Sequence, residues 1–146
     1  MTITLDKSLI YSHVEMNVSI IARSTVDANG DSLFDKIRIQ ERDEDLLDTF
    51  WENAYGNILN ELNEFIESTT DTSITLVSNR RFQEAAISDM GDVIANYITN
   101  LMTGEWLKLK ATEFASIYMD NAASGLKSIF EKLRYKTEPV LKKFGS

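Results

Sequence analysis

The sequence predicts an all-α protein, a helical bundle of three long helices plus a short N-terminal helix, with minor extended segments. Two observations lead there. Apolar residues return at helical spacing through three long stretches, 46–66, 82–101 and 114–133, and the one proline, Pro139, lies beyond the last of them, where a residue that cannot continue a helix does no harm. At 146 residues and 43% hydrophobic, the chain also has the size and apolar content of one domain. The reading divides it into a helical domain, 1–136, and a C-terminal basic arm, 137–146.

From Asp6 to about Arg23, Ile10, Val14, Val18 and Ile21 recur at spacings of four and three, with Asp6 placed to cap a helix. Val14, Met16, Val18 and Ile20 also alternate at period two, so a strand competes over 14–21; helix is preferred. Asn29-Gly30 marks a loop, and Leu33 to Ile39 reads as a short extended or one-turn piece that packs on the helices rather than forming a sheet. The strongest signal follows. Leu46, Leu47, Phe50, Trp51, Ala54, Tyr55, Ile58, Leu59, Leu62, Phe65 and Ile66 keep helical spacing for over five turns, behind a first turn crowded by Asp43, Glu44, Asp45 and Asp48. Carboxylates there complement the unpaired N–H groups and the positive end of the helix dipole. Phe50, Trp51, Ile58 and Leu62 are the expected core of this helix, which polar residues 68–71 end. Ile74 to Ser78 is β-branched and reads as an extended loop or hairpin arm.

A second long helix is predicted from after Asn79 to Met102, stopped by Thr103-Gly104, with Glu105 to Lys110 as a connection that carries Trp106. Thr112 then caps a third, through about Lys136, with Phe114, Ile117, Tyr118, Ala122, Leu126, Ile129, Phe130 and Leu133 on its apolar face.

Composition narrows the chemistry. With no cysteine there can be no disulfide, zinc-thiolate site or thiol nucleophile. His13 is the only histidine, so a His-rich metal site is impossible, and on a partly apolar helix it reads as a packed or surface residue. Asp27, Asn29 and Asp31 imitate the opening of a calcium-binding loop, but the sixth position is Ser32 instead of glycine and the twelfth is Arg38 instead of glutamate. A polar turn is the better reading, and no metal or cofactor is expected. The six glycines are scattered, without a phosphate-cradling pattern, and no enzyme class has a complete set of parts. Neither a secretory leader nor a membrane span is expected. The formal charge of −8 is uneven: residues 1–100 hold 7 basic and 18 acidic side chains, residues 101–146 hold 8 and 5. Such an acidic body repels phosphate backbones.

Two features point to contacts instead. The stripe from Leu46 to Ile66 is wider than one helix pair needs, which suits a helix buried on two sides, the second against a neighbouring subunit or within the chain's own core. Ala122-Ala123-Ser124-Gly125 would let another helix approach closely, and beyond Lys127 the chain turns basic and ends on Val140, Leu141 and Phe144. The candidate interface residues are therefore Trp51, Tyr55, Leu59, Ala122, Gly125, Lys142, Lys143 and Phe144.

The order of pieces, Lys36-Ile37-Arg38-Ile39 running into Asp43-Glu44-Asp45-Leu46-Leu47 and a helix with Trp51 and Ala54, resembles the head-tail connector (adaptor) proteins of long-tailed bacteriophages and prophages. Glu105-Trp106-Leu107-Lys108-Leu109, with Phe114, Tyr118 and Ala122, looks like connector-type proteins too, and the likeness runs from about Leu9 to Arg134. This chain is longer between its second and third main helices than the compact versions. The resemblance implies a virion protein of the capsid vertex and neck, assembled in the host cytoplasm. It also implies a homo-oligomeric ring beneath the portal protein, which extends the DNA channel and presents a platform to downstream neck and tail proteins. DNA would pass without specific binding. The rival reading is an acidic helical inhibitor or DNA mimic, with carboxylates as phosphate surrogates.

Overall fold

A computed structural model describes residues 2–77 and 89–135, the last four of them as backbone alone. The fold is mostly helical and carries a small three-stranded sheet. Helix α1 spans Lys7–Ser24, the single turn α2 Phe34–Ile37, α3 Glu44–Glu61, α4 Met90–Lys110 and α5 Ala115–Tyr135. Strands β1 (Thr2–Thr4), β2 (Ile66–Thr69) and β3 (Ser73–Leu76) form an antiparallel sheet in the order β1-β3-β2.

The Asp6 side chain caps α1 by accepting the Leu9 N–H at 3.1 Å, leaving Ile10, Val14, Val18 and Ala22 buried along one face. Residues 14–21 are thus helical, because spacings of three and four put those four side chains on the same side. At 18 residues α1 is as long as α3, so the N-terminal helix is not short. The following loop closes on itself: Asp27 accepts the Asn29 and Asp31 N–H groups at 2.8 and 3.0 Å, and Gly30 takes the positive φ of +84° that the turn requires. Leu33 to Ile39 resolves into α2, which packs on α1 and α4.

Helix α3 buries Leu47, Phe50, Trp51, Ala54, Tyr55 and Ile58, with Leu62 just past its end. It stops at Glu61, earlier than its apolar spacing predicts. A 3-10 turn, Asn63–Phe65, leads into β2, where Ile66 pairs with Leu76 instead of adding a sixth helical turn. The β-branched stretch after it is the middle strand of the sheet, and β1 pairs along its other edge. Ile3, Ile74 and Leu76 are buried, and Ile3 packs at Gly91, the second residue of α4.

Helix α4 is the hub, in contact with α1, α2, α3, α5 and β1. It runs straight through Thr103-Gly104, the predicted stop, and takes in Glu105 to Lys110, the predicted connection. Packing overrides the local signal there. A Cβ at position 104 would overlap the side chain of Met119, so glycine is what lets α5 cross α4 closely. Trp106 is wholly buried in α4 and its indole N–H donates to the Ile37 carbonyl at 2.7 Å, tying the hub to α2. The buried Thr99 and Thr103 hydroxyls return to the carbonyls of Ala95 and Thr99, so neither is left unsatisfied. A short 3-10 turn, Thr112–Phe114, joins α4 to α5. The predicted helix start at Asn79 with Phe82 and Ala86, the end near Lys136, and the arm 137–146 lie outside the described residues.

Candidate functional site

Helix α1 has two apolar sides, and the described residues cover one. Opposite its buried face, Leu9, His13, Met16 and Ile20 fall at spacings of four, three and four, which places them in one stripe along the helix. All four are exposed; Leu9, Met16 and Ile20 retain 51%, 58% and 59% of their surface. Single exposed apolar residues are ordinary on protein surfaces, whereas a row along one helix face is a candidate contact surface. Beside the N-terminal half of the row runs a groove of about 420 Å³, floored by Ile10 and Ala95 and rimmed by Asp6, His13, Asp92 and Asn96.

A second cluster sits where α1 crosses α3. The Tyr11 hydroxyl donates a hydrogen bond to Asp48, and Lys7 lies 3.6 Å from the same carboxylate. The Lys7 ammonium is also 5.5 Å from the centre of the Tyr11 ring and 5.6 Å from that of Trp51, within cation–π range. Trp51 in turn stacks on Tyr55 at 5.6 Å. Burial, then the bond to Asp48 and its negative charge, pushes the Tyr11 hydroxyl well above the ordinary tyrosine range. The Tyr55 hydroxyl shares its proton between the Thr70 and Ser73 carbonyls, at 2.8 and 2.9 Å, and burial raises its pKa as well. These groups fasten α1, α3 and the hairpin to one another.

The predicted interface residues are not brought together. Trp51 and Tyr55 are 3% and 7% exposed and lie inside the chain's own core, so they offer nothing to a neighbour; Leu59 is half-buried. The second side of α3 is covered by Lys7, Tyr11 and the β2–β3 hairpin rather than by another subunit. Ala122 is buried, and Gly125 faces Tyr97 of α4, where a Cβ would sit 3.6 Å from the Tyr97 Cβ. The helix that approaches the small-residue patch is thus an internal one. Lys142, Lys143 and Phe144 lie outside the described residues.

Several carboxylates have local partners: Asp6 caps α1, Asp27 holds its turn, Asp35 pairs with Arg38 at 3.0 Å, and Asp43 accepts the Gln40 N–H at 2.9 Å. Among the described residues, no three His, Asp or Glu side chains converge as a metal site requires, and no helix is long and apolar enough to cross a membrane. The α1 stripe escaped the sequence reading, although its signal was present. Leu9, Met16 and Ile20 keep helical phase with one another, out of phase with Ile10, Val14 and Val18. No known protein family, curated protein or solved structure matches this chain.

Proposed function

We propose that this chain is a binding and assembly protein whose contact surface is the α1 stripe, and that its setting is the neck of a tailed bacteriophage, as a subunit of the head-tail connector ring. The observation that carries the assembly reading is the row Leu9, His13, Met16 and Ile20, exposed along a helix whose opposite face is fully buried. The bacteriophage setting rests on the resemblance alone. A ring needs two different complementary surfaces on each subunit; the α1 stripe supplies one of them. The acidic body suits a channel that DNA must traverse without adhering.

The inhibitor reading has one feature in its favour. Glu44, Asp48 and Glu52 stand one turn apart on α3 as a short acidic row. Its middle member is held by Lys7 and Tyr11, while none of the described residues covers the α1 stripe, so assembly is preferred. Co-sedimentation with the portal complex of the source phage tests the proposal. Binding that Met16→Glu with Ile20→Glu abolishes is the expected result; failure to bind any neck protein, with tight binding to a nucleic-acid enzyme, would promote the inhibitor reading.

A further inference from the structure

The α1 face has a symmetry that names its occupant. About the midpoint between Val14 and Glu15, Leu9 mirrors Ile20, His13 mirrors Met16, and Asp6 mirrors Arg23. At about 100° per residue these six positions share one strip of the helix roughly a quarter-turn wide. Asp6, Leu9, His13, Met16, Ile20 and Arg23 are all exposed, and apart from His13 no ionisable side chain lies on the strip between its two ends. An apolar row closed by an acid at one end and a base at the other is complementary to itself turned end for end.

We infer that this face pairs with a second copy of the same chain, α1 against α1 in antiparallel register about a two-fold axis beside residues 14 and 15. In that register Leu9 meets the second copy's Ile20, His13 meets its Met16, and each Asp6 meets an Arg23. The thioether beside the imidazole edge is a favourable contact. The acidic end of the strip is reinforced by Asp92, which rims the groove with Asp6, so the incoming guanidinium meets two carboxylates. Asp6 caps its helix through one oxygen and keeps the other for this contact. Antiparallel packing also sets opposite helix dipole ends side by side. A two-fold contact uses the same patch on both copies, which is what a self-mirroring strip provides. A single helix pair is a small interface, so the pairing belongs to roughly the micromolar range.

This rests on the reading of α1 as a contact surface and adds the occupant. The pair holds the stripe covered in the free protein, and a portal or ring contact at the same face has to displace it.

The test uses the absence of native cysteine, which makes single-cysteine variants of the full chain clean reporters. Sedimentation of the unaltered chain should show a concentration-dependent dimer, and Met16→Glu should weaken it by roughly a hundredfold, since it buries a charge at the centre of the contact. Leu9→Cys mixed with Ile20→Cys and oxidised should give chiefly the mixed disulfide. Two copies of Leu9 stand about 16 Å apart along the axis in this register, beyond disulfide reach. A chain that stays monomeric up to roughly 500 µM would overturn the pairing, as that lies far above the expected range. Predominant Leu9→Cys homodimers would overturn the antiparallel register. Neither outcome touches docking on a portal, which co-sedimentation reads separately: a chain that pairs but docks on nothing defeats the connector setting and leaves the pair standing.

Discussion

Helices α1 and α3 are both 18 residues long and both carry exposed or buried apolar side chains beyond one narrow face, yet among the described residues cover is found over Trp51 and Tyr55 of α3 and not over Leu9, Met16 and Ile20 of α1. Trp51 and Tyr55 are closed over by Lys7, Tyr11 and the hairpin carbonyls. Leu9, Met16 and Ile20 on α1 have no such cover among the described residues. The width of an apolar face therefore does not tell whether it is an interface. What decides is whether some other part of the same chain reaches it, and two residues of α1 plus a two-strand hairpin were enough to finish α3.

Substitutions on the two helices should separate these roles. Trp51→Ala removes a stacked, buried ring and should cost about 3 to 5 kcal/mol of folding free energy, read as a large drop in melting temperature. An unchanged melting curve would mean that the cover over α3 is not part of the core. Next in size is the hub. Gly104→Ala pushes a methyl group into Met119, and should cost roughly 1 to 2 kcal/mol despite the better helix propensity of alanine. Because the atoms in the way belong to a flexible side chain, the double variant with Met119→Ala should give part of that back in thermal unfolding, and a purely additive result would place the strain elsewhere.

The link between α1 and α3 should also show in alkali. The Tyr11 hydroxyl is raised in the folded chain, so its contribution is fully present below the ordinary tyrosine pKa of about 10 and is lost as pH rises through the higher folded value. Unfolding followed from pH 8 to 11 should show stability falling at the top of that window, and Tyr11→Phe should flatten the fall; an identical profile would detach the fall from Tyr11. Smallest of all is Met16→Ala, on the uncovered face, expected to stay within about 0.5 kcal/mol of the unaltered chain in the same melts. A loss as large as that of Trp51→Ala would mean that the α1 stripe is core after all.

Much of this was legible beforehand, for reasons visible in particular residues. Ile10, Val14 and Val18 announce α1, and Phe50, Trp51, Ile58 and Leu62 are the buried side chains that the spacing marks. The sheet was harder to see because its strands are three and four residues long, and β1, Thr2–Thr4, joins by pairing with a strand about seventy positions away. Thr103-Gly104 reads locally as a helix end, whereas the helix continues through the buried Trp106 and Leu107 and the glycine makes room for Met119. That Trp51, Tyr55 and Ala122 would be buried within the chain while Leu9, Met16 and Ile20 stay exposed was hidden for the same reason: exposure depends on which segment covers which, and periodicity carries no record of that.

Methionine oxidation tests the central claim most directly, because Met16 lies on the α1 stripe while Met90 and Met102 are buried and serve as internal references. The chain is exposed briefly to peroxide at low concentration, at high concentration and after addition of a binding partner, and each methionine is quantified by mass spectrometry. The expected result is fast oxidation of Met16 in the dilute chain and several-fold protection whenever the protein is assembled, with the buried methionines slow throughout. Met16 that oxidises equally fast in the dilute and the assembled states would show that the α1 face is not where this protein makes its contacts.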